Sequence, residues 1–250
     1  MARFEGEFLL VNNNNTRTKF ALAAGPDFVA EASVPTRGLT PGQVREALAG
    51  WGCRRAVLAS VVPGCLPVLR EALDGRETLE ISHRIALGIE IDFPDPSSVG
   101  ADRLANAAAV AERHPGDFVV VVDFGTAVTF DIVDRRPAYI GGVIAPGLDA
   151  MRHYLHERTA LLPEIELVRP CGVVGKTTVH AMQSGAYFGY RGLVRGILEQ
   201  IRDETGEEAK IIATGGYAAL IAGEMPEIPR IDPLLTMRGL LRVARLNFPT

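Results

Sequence analysis

Three short stretches of this sequence hold residue types that could handle a phosphate group and a proton. Asp123-Phe124-Gly125-Thr126 follows an apolar run. A turn there would offer backbone N–H groups to phosphate oxygens, with the Thr126 hydroxyl as a further donor and the Asp123 carboxylate to hold a cation. Taken alone, D-x-G-T is as readily an ordinary tight turn. Asn12-Asn13-Asn14-Asn15-Thr16 stands in a matching place between two apolar runs, and Asn tolerates left-handed backbone better than any residue but glycine. Gly100-Ala101-Asp102-Arg103 opens a helical pattern, where an acid suits the helix dipole and free N–H groups can receive an anion. Read for chemistry, Asp102 is a general base and Arg103 a clamp for a carboxylate. Read for structure alone, they are a first-turn acid and an exposed arginine.

Other motifs fail their own requirements. Gly175-Lys176-Thr177 would end a Walker loop, but that pattern needs glycine where Pro170 stands. Asp123-Phe124-Gly125 lacks the catalytic loop and the glycine-rich loop that accompany this triplet in protein kinases. His153 and His156, with Glu157, supply two metal ligands on one helix and no third, so a solvated face is the reading. Met182, Tyr187 and Tyr190 read as core or subunit interface.

The elements that must position these residues follow from apolar periodicity. Leu9–Val11 and Lys19–Ala23 are strands around the Asn-rich turn, and Gln43–Trp51 is a helix. Arg55–Val62 is a strand, and Cys65–Leu73 and the Ala-rich Ala101–Arg113 are helices. Phe118–Val122 is a buried strand and Ala127–Val133 another, so the opening pattern returns. A shift of 111 residues pairs Asn12 with Asp123, Asn14 with Gly125 and Thr18 with Thr129, which reads as an internal duplication. The glycine-rich Gly141–Gly147 follows, then helices Leu148–His156 and Thr178 to about Arg202, a strand Lys210–Ala213, and Gly215-Gly216. Two α/β halves, each opened by a strand-turn-strand hairpin, are expected.

Composition narrows the partners. The 250 residues are 47% hydrophobic, with 26 basic against 30 acidic side chains, enough for a full core and no footprint for a nucleic acid. Cys53, Cys65 and Cys171 are widely spaced without a CxxC, so neither a disulfide framework nor a zinc site is suggested. The N-terminal MARFEGEFLLV lacks signal-peptide order, and no apolar run approaches the ~18 residues of a membrane span. A cytoplasmic chain without a membrane or nucleic-acid partner is the expectation.

Taken in order, NNNNTRTKFAL (12–22), SVVP (60–63), GADR (100–103), DFGTAVTFD (123–131), GGVIAPG (141–147), GKTTVHAMQSGAYFGYRG (175–192), TGG (214–216) and DPLLTMRGL (232–240) resemble the type III pantothenate kinases. That family belongs to the acetate and sugar kinase/Hsp70/actin superfamily. The resemblance implies an α/β fold of two ribonuclease-H-like (actin-like ATPase) domains, over 1–115 and 116–250, with a nucleotide cleft between them. It implies transfer of the ATP γ-phosphoryl group to pantothenate, the first step of coenzyme A synthesis, with Mg2+, a monovalent cation (K+ or NH4+) and a homodimer. Carried over by residue, Asp102 resembles the base that deprotonates pantothenate, with Phe93, Gly100, Ala101, Arg103 and Thr178 as substrate contacts. Asp123 resembles the monovalent-cation ligand, Thr126 an ATP contact, and Asn12, Asn13, Asn14, Asn15, Thr16, Arg17, Thr18 and Lys19 the first phosphate loop.

The chain departs from that family in four places. Asn12 stands for the Asp of D-x-G-N-T, removing a carboxylate from where metal-bound ATP would be neutralised. Asn14 stands for its glycine, Phe93 for a tyrosine, and Thr177 for an asparagine. An accessory or regulatory protein that keeps the fold but has lost turnover is the rival reading, resting on Asn12. A kinase of another small hydroxy acid, resting on Phe93, is a third.

Overall fold

The computed structural model describes residues 4–248. Contacts divide the chain into two compact units. The first runs to Gly116 and takes in Val133–Ile140 and the chain from Leu234 onward; the second holds Asp117–Ile132 and Gly141–Pro233.

In the first unit, β1 (Phe4–Glu5) pairs in parallel with β5 (Trp51–Gly52). The main sheet comprises β2 (Phe8–Asn13), β3 (Arg17–Ala24), β4 (Asp27–Pro35), β6 (Arg55–Ser60) and β7 (Glu77–Glu80), in the order β4-β3-β2-β6-β7. β2 to β4 run antiparallel, and β2, β6 and β7 run parallel. Every residue of β2 is buried because both faces of the sheet are covered. Leu9 and Val11 share a core cluster with residues of α1 (Pro41–Ala47) and α2 (Leu66–Ala72). α3 (Ala101–Arg113) packs on β6 and on α8 (Leu235–Asn247), which also lies against β2. The alanines of α3 keep this seam thin, and Gly239 of α8 sits so close to the Ala105 carbonyl that a Cβ would collide with it.

The second sheet has the order β13-β12-β9-β10-β11-β8. Its strands are β8 (Glu90–Ile91), β9 (Val119–Phe124), β10 (Ala127–Val133), β11 (Ala138–Pro146), β12 (Lys210–Thr214) and β13 (Arg230–Ile231). β8 meets only the first residues of β11, which belong with it to the first unit. The helices here are α4 (Leu148–Arg158), α5 (Thr178–Ser184), α6 (Tyr190–Thr205) and α7 (Ala218–Ala222).

Both sheets follow one plan. With β8 at the edge of the second set aside, β2 or β9 is central; the next two strands of that sheet lie to one side of it and the two after them to the other. The expected duplication is therefore present as topology, and in both cases the central strand ends in the turn that carries the chemistry-bearing residues.

Several elements differ from expectation. The helix expected over Gln43–Trp51 is capped earlier, by Thr40 with Gln43 and Pro41, and ends at Ala47, because Gly50 takes a left-handed φ of 82° and Trp51 is claimed by β1. The helix expected from Thr178 is broken by a π-helical turn, Gly185–Gly189, and ends at Thr205 on left-handed Gly206. The glycine-rich Gly141–Gly147 is largely the second half of β11. No helix among the described residues is long and apolar enough to cross a membrane.

Candidate functional site

The first-unit turn is a hairpin. Asn12 pairs with Lys19 and Asn13 with Thr18 in the β2–β3 register, and the Asn14 N–H donates to the Arg17 carbonyl at 3.1 Å. No asparagine here has positive φ, and neither does Gly125 of the second-unit turn. Asn at position 14 thus carries no left-handed strain, and the tolerance argued from sequence is not called upon. Asn13 and Thr18 are fully buried and bonded to each other at 2.8 Å, so their side chains face inward. Asn15, Thr16 and Arg17 are exposed, with Arg17 turned to Ser33; Lys19 is half-buried.

Two oxygens of this turn are conspicuous. Asn12 is buried at 4% exposure, and its Oδ1 and that of Asn14 are enclosed without a hydrogen-bond donor. Unsatisfied buried acceptors cost stability unless a ligand completes them. Two amide oxygens suit a hard cation or its water shell, and Mg2+ bound mainly through phosphates and water needs few protein oxygens. The donor set fits such an ion, with no negative charge contributed by residue 12.

At the start of α3, Gly100 is the N-cap and Asp102 lies in the first turn, its Oδ1 accepting the Arg103 N–H at 2.8 Å. A Cβ on residue 100 would stand 2.8 Å from that same Oδ1, so glycine there gives the carboxylate room. Burial pushes the Asp102 carboxyl above the usual carboxylate range, against the opposing pull of the Arg103 N–H and guanidinium. A carboxylate raised in this way is a better proton acceptor. The Arg103 guanidinium lies 5.6 Å from the centre of the Tyr139 ring, and Phe93 meets the same ring edge-on at 6.1 Å. Phe93 and Arg103 are thus brought together through Tyr139, which the sequence reading did not single out.

In the second unit, Asp123, next to last in β9, lies opposite Thr214 of β12. The turn is closed by the Gly125 N–H to the Ala127 carbonyl, and the Thr126 carbonyl accepts the Gly147 N–H at 3.1 Å. Two glycine backbones press on it. A Cβ on Gly147 would collide with the Gly125 and Thr126 carbonyls, and one on Gly215, whose φ is 94°, would stand 2.5 Å from Asp123 Oδ1. The Tyr217 N–H donates to the Phe124 carbonyl, and the Tyr217 hydroxyl donates to Asp149 Oδ1 at 2.6 Å. Thr126 is exposed at the turn. Thr178 opens α5 and lines an apolar cavity of about 690 Å³ with Pro146, Met151, Tyr154, Met182 and Ala186. Thr177 is the N-cap of α5, its Oγ1 accepting the His180 N–H; Asn is an equally good cap, so that departure keeps the helix start.

His153 faces Glu164 and His156 bonds the Leu162 carbonyl, and no group of three metal-ligating side chains occurs among the described residues. Tyr139, Tyr217, Thr36 and Ser60 were missed as supports; the glycine runs around Gly147 and Gly215 were noted without their role.

The chain matches the type III pantothenate kinase family over residues 8–200. It is 46% identical over 241 residues to the type III pantothenate kinase of Akkermansia muciniphila, covering 96% of this chain and 99% of that one. It is 41% identical over 255 residues to that of Caulobacter vibrioides, covering 96% and 97%. Among solved structures, the ethanolamine utilization protein EutJ from Carboxydothermus hydrogenoformans superimposes with a TM-score of 0.59 at 13% identity over 96% of this chain and 89% of that one, a likeness of fold.

Proposed function

The chain belongs to the type III pantothenate kinases, and from that premise we propose how its own residues carry out ATP-dependent phosphorylation of pantothenate. The observation that carries the reading is Asp102, a half-buried carboxylate whose affinity for a proton is raised by burial at a helix start beside Arg103. Asp102 accepts the proton of the pantothenate primary hydroxyl as its oxygen bonds to the γ-phosphorus. The bond from that phosphorus to the bridging oxygen breaks, ADP leaves, and 4'-phosphopantothenate forms. Arg103, steadied by Tyr139 and Phe93, holds the substrate carboxylate. Gly100 and Ala101 leave room beside it, and Thr178 adds a hydroxyl.

The first turn, Asn12 to Lys19, and Thr126 of the second receive the nucleotide phosphates. Mg2+ would be held at Asn12 and Asn14 and would spread the charge of the transferring group. Asp123 holds the monovalent cation, K+ or NH4+. A second copy of the chain covers the apolar cavity of the second unit, where Met151, Tyr154 and Leu155 are exposed. The two ribonuclease-H-like domains, expected over 1–115 and 116–250, are read as the two compact units, the first of which also takes in Val133–Ile140 and the chain from Leu234 onward. A cytoplasmic protein without nucleic-acid or membrane partners completes the reading.

The test is release of ADP with and without pantothenate in potassium buffer. Pantothenate-dependent release is expected, and its absence in both potassium and ammonium buffers would overturn the assignment. Light scattering should give about twice the 26.9 kDa chain mass.

A further inference from the structure

Beneath the first turn lies a chain of hydrogen bonds whose direction can be worked out. The Val62 N–H donates to Ser60 Oγ at 3.2 Å. Ser60 Oγ donates to Asn13 Oδ1 at 2.6 Å, and Asn13 Nδ2 donates to Thr18 Oγ1 at 2.8 Å. Thr18 Oγ1 lies 3.0 Å from Thr36 Oγ1, which donates to the Asn14 carbonyl at 2.6 Å. Thr36 has one hydroxyl proton and gives it to a carbonyl that can only accept, so the proton between the two threonines belongs to Thr18. Thr18 in turn must be supplied by an N–H, which fixes the amide of Asn13 with nitrogen toward Thr18 and oxygen toward Ser60. The reversed amide would leave one contact without a proton. Each hydroxyl gives once and receives once, across β2, β3, β6 and the segment after β4. Asn13 and Thr18 are fully buried, and Thr36 is 4% exposed.

We propose that Asn13 is a positioning residue of the nucleotide site, the centre of a one-way relay that fixes which way the Asn14–Asn15 peptide faces. In a trans peptide the C=O of one residue and the N–H of the next point in opposite directions. With the Asn14 carbonyl drawn inward by Thr36, the Asn15 N–H is directed away from the core, where a phosphate oxygen can take it. The amide at 13 does this by receiving from Ser60 through its oxygen and donating to Thr18 through its nitrogen. The inference deepens the kinase reading and rests on it, since the phosphate is the ligand that the freed N–H would meet.

The test is calorimetric binding of a non-hydrolysable ATP analogue to the full chain, with KM for pantothenate and Tm measured alongside. Thr36→Val removes the last donor at nearly constant volume and should weaken the analogue about tenfold, with KM for pantothenate within about twofold. Thr36→Ser keeps the hydroxyl and should bind as the wild type does. Asn13→Asp matches Asn in size but has no N–H for Thr18, and should resemble Thr36→Val. Unchanged binding in Thr36→Val would overturn the inference, as would parallel losses for nucleotide and pantothenate together with a lower Tm. A wild-type chain that binds no nucleotide would overturn the kinase reading itself, a result distinct from a wild type and Thr36→Val that bind equally.

Discussion

The two chemistry-bearing turns end equivalent strands of equivalent sheets, yet they are held in opposite ways. The first, at the end of β2, rests on side chains: Asn13, Ser60, Thr18 and Thr36 tie it from beneath, and its buried outer atoms are neutral amide oxygens. The second, at the end of β9, rests on backbone proximity to Gly147 and Gly215, and carries a carboxylate. One folding plan therefore tolerates two kinds of support. Where hydroxyls do the holding, sequence can drift to Asn-Asn-Asn without left-handed strain; where main chains touch, glycine has no substitute.

The largest expected effect tests whether either turn does the acid–base work. Asp102→Asn keeps the shape of the side chain but cannot accept the hydroxyl proton, so kcat should fall by about 10²- to 10⁴-fold while pantothenate still binds. Equal rates would move the base to one of the turns and undo the division of labour.

Next in size is Asp123→Asn, which would leave neither turn with a carboxylate. A loss of about 10²-fold in kcat is expected, with a weakened response to added potassium; a smaller loss than that of any first-turn variant would show that the charge asymmetry has no function.

The converse exchange, Asn12→Asp, gives both turns a carboxylate. A rate gain of about tenfold, equivalent to about 1.4 kcal/mol, is expected. The apo chain should melt lower than wild type because the new charge is buried without a partner, and Mg2+ with nucleotide should narrow that gap. A rate no higher than wild type would mean that neutral oxygens suffice at the first turn.

The smallest effect is thermal. Burial raises the Asp102 pKa from its ordinary 3.8, so the folded chain holds that proton more tightly than the unfolded one, and stability falls as pH rises through this window. Asp102→Asn should match wild type at pH well below 3.8 and melt slightly higher above the window. The wild-type rate should rise with pH across the same window as the carboxylate forms. A lower Tm for the variant at neutral pH would mean that the ionised carboxylate stabilises the helix start.

Much of this arrangement was legible because it is local. The apolar run Phe118–Val122 and the turn after it, the first-turn motif of α3, and the 111-residue repeat all lie within short stretches. The unread parts depend on partners far along the chain. β4 alternates half-buried and exposed positions at a sheet edge, and its pattern carries little apolar signal. Asn13 reads as one of four asparagines until Ser60 and Thr36 are brought to it. Gly185 and Gly189 were visible as interruptions of a helix, but the sequence did not say that they would be absorbed as a π turn. Tyr139 lies 36 residues beyond the Arg103 that it supports, in the short stretch of β11 that belongs to the first unit.

The C-terminal helix sets an order on synthesis. α8 lies against α3, β2 and β6, so the first unit, though its sheet is made before the second unit, keeps the part of that sheet covered by α8 bare until Leu235–Asn247 emerge. At about 5–20 residues per second, the second unit has its whole sequence available while that hydrophobic face still waits. A chain stalled before α8 would therefore expose a part made earlier rather than its newest, and a protease or chaperone patrolling nascent protein would meet β2, the strand that leads into the first phosphate turn.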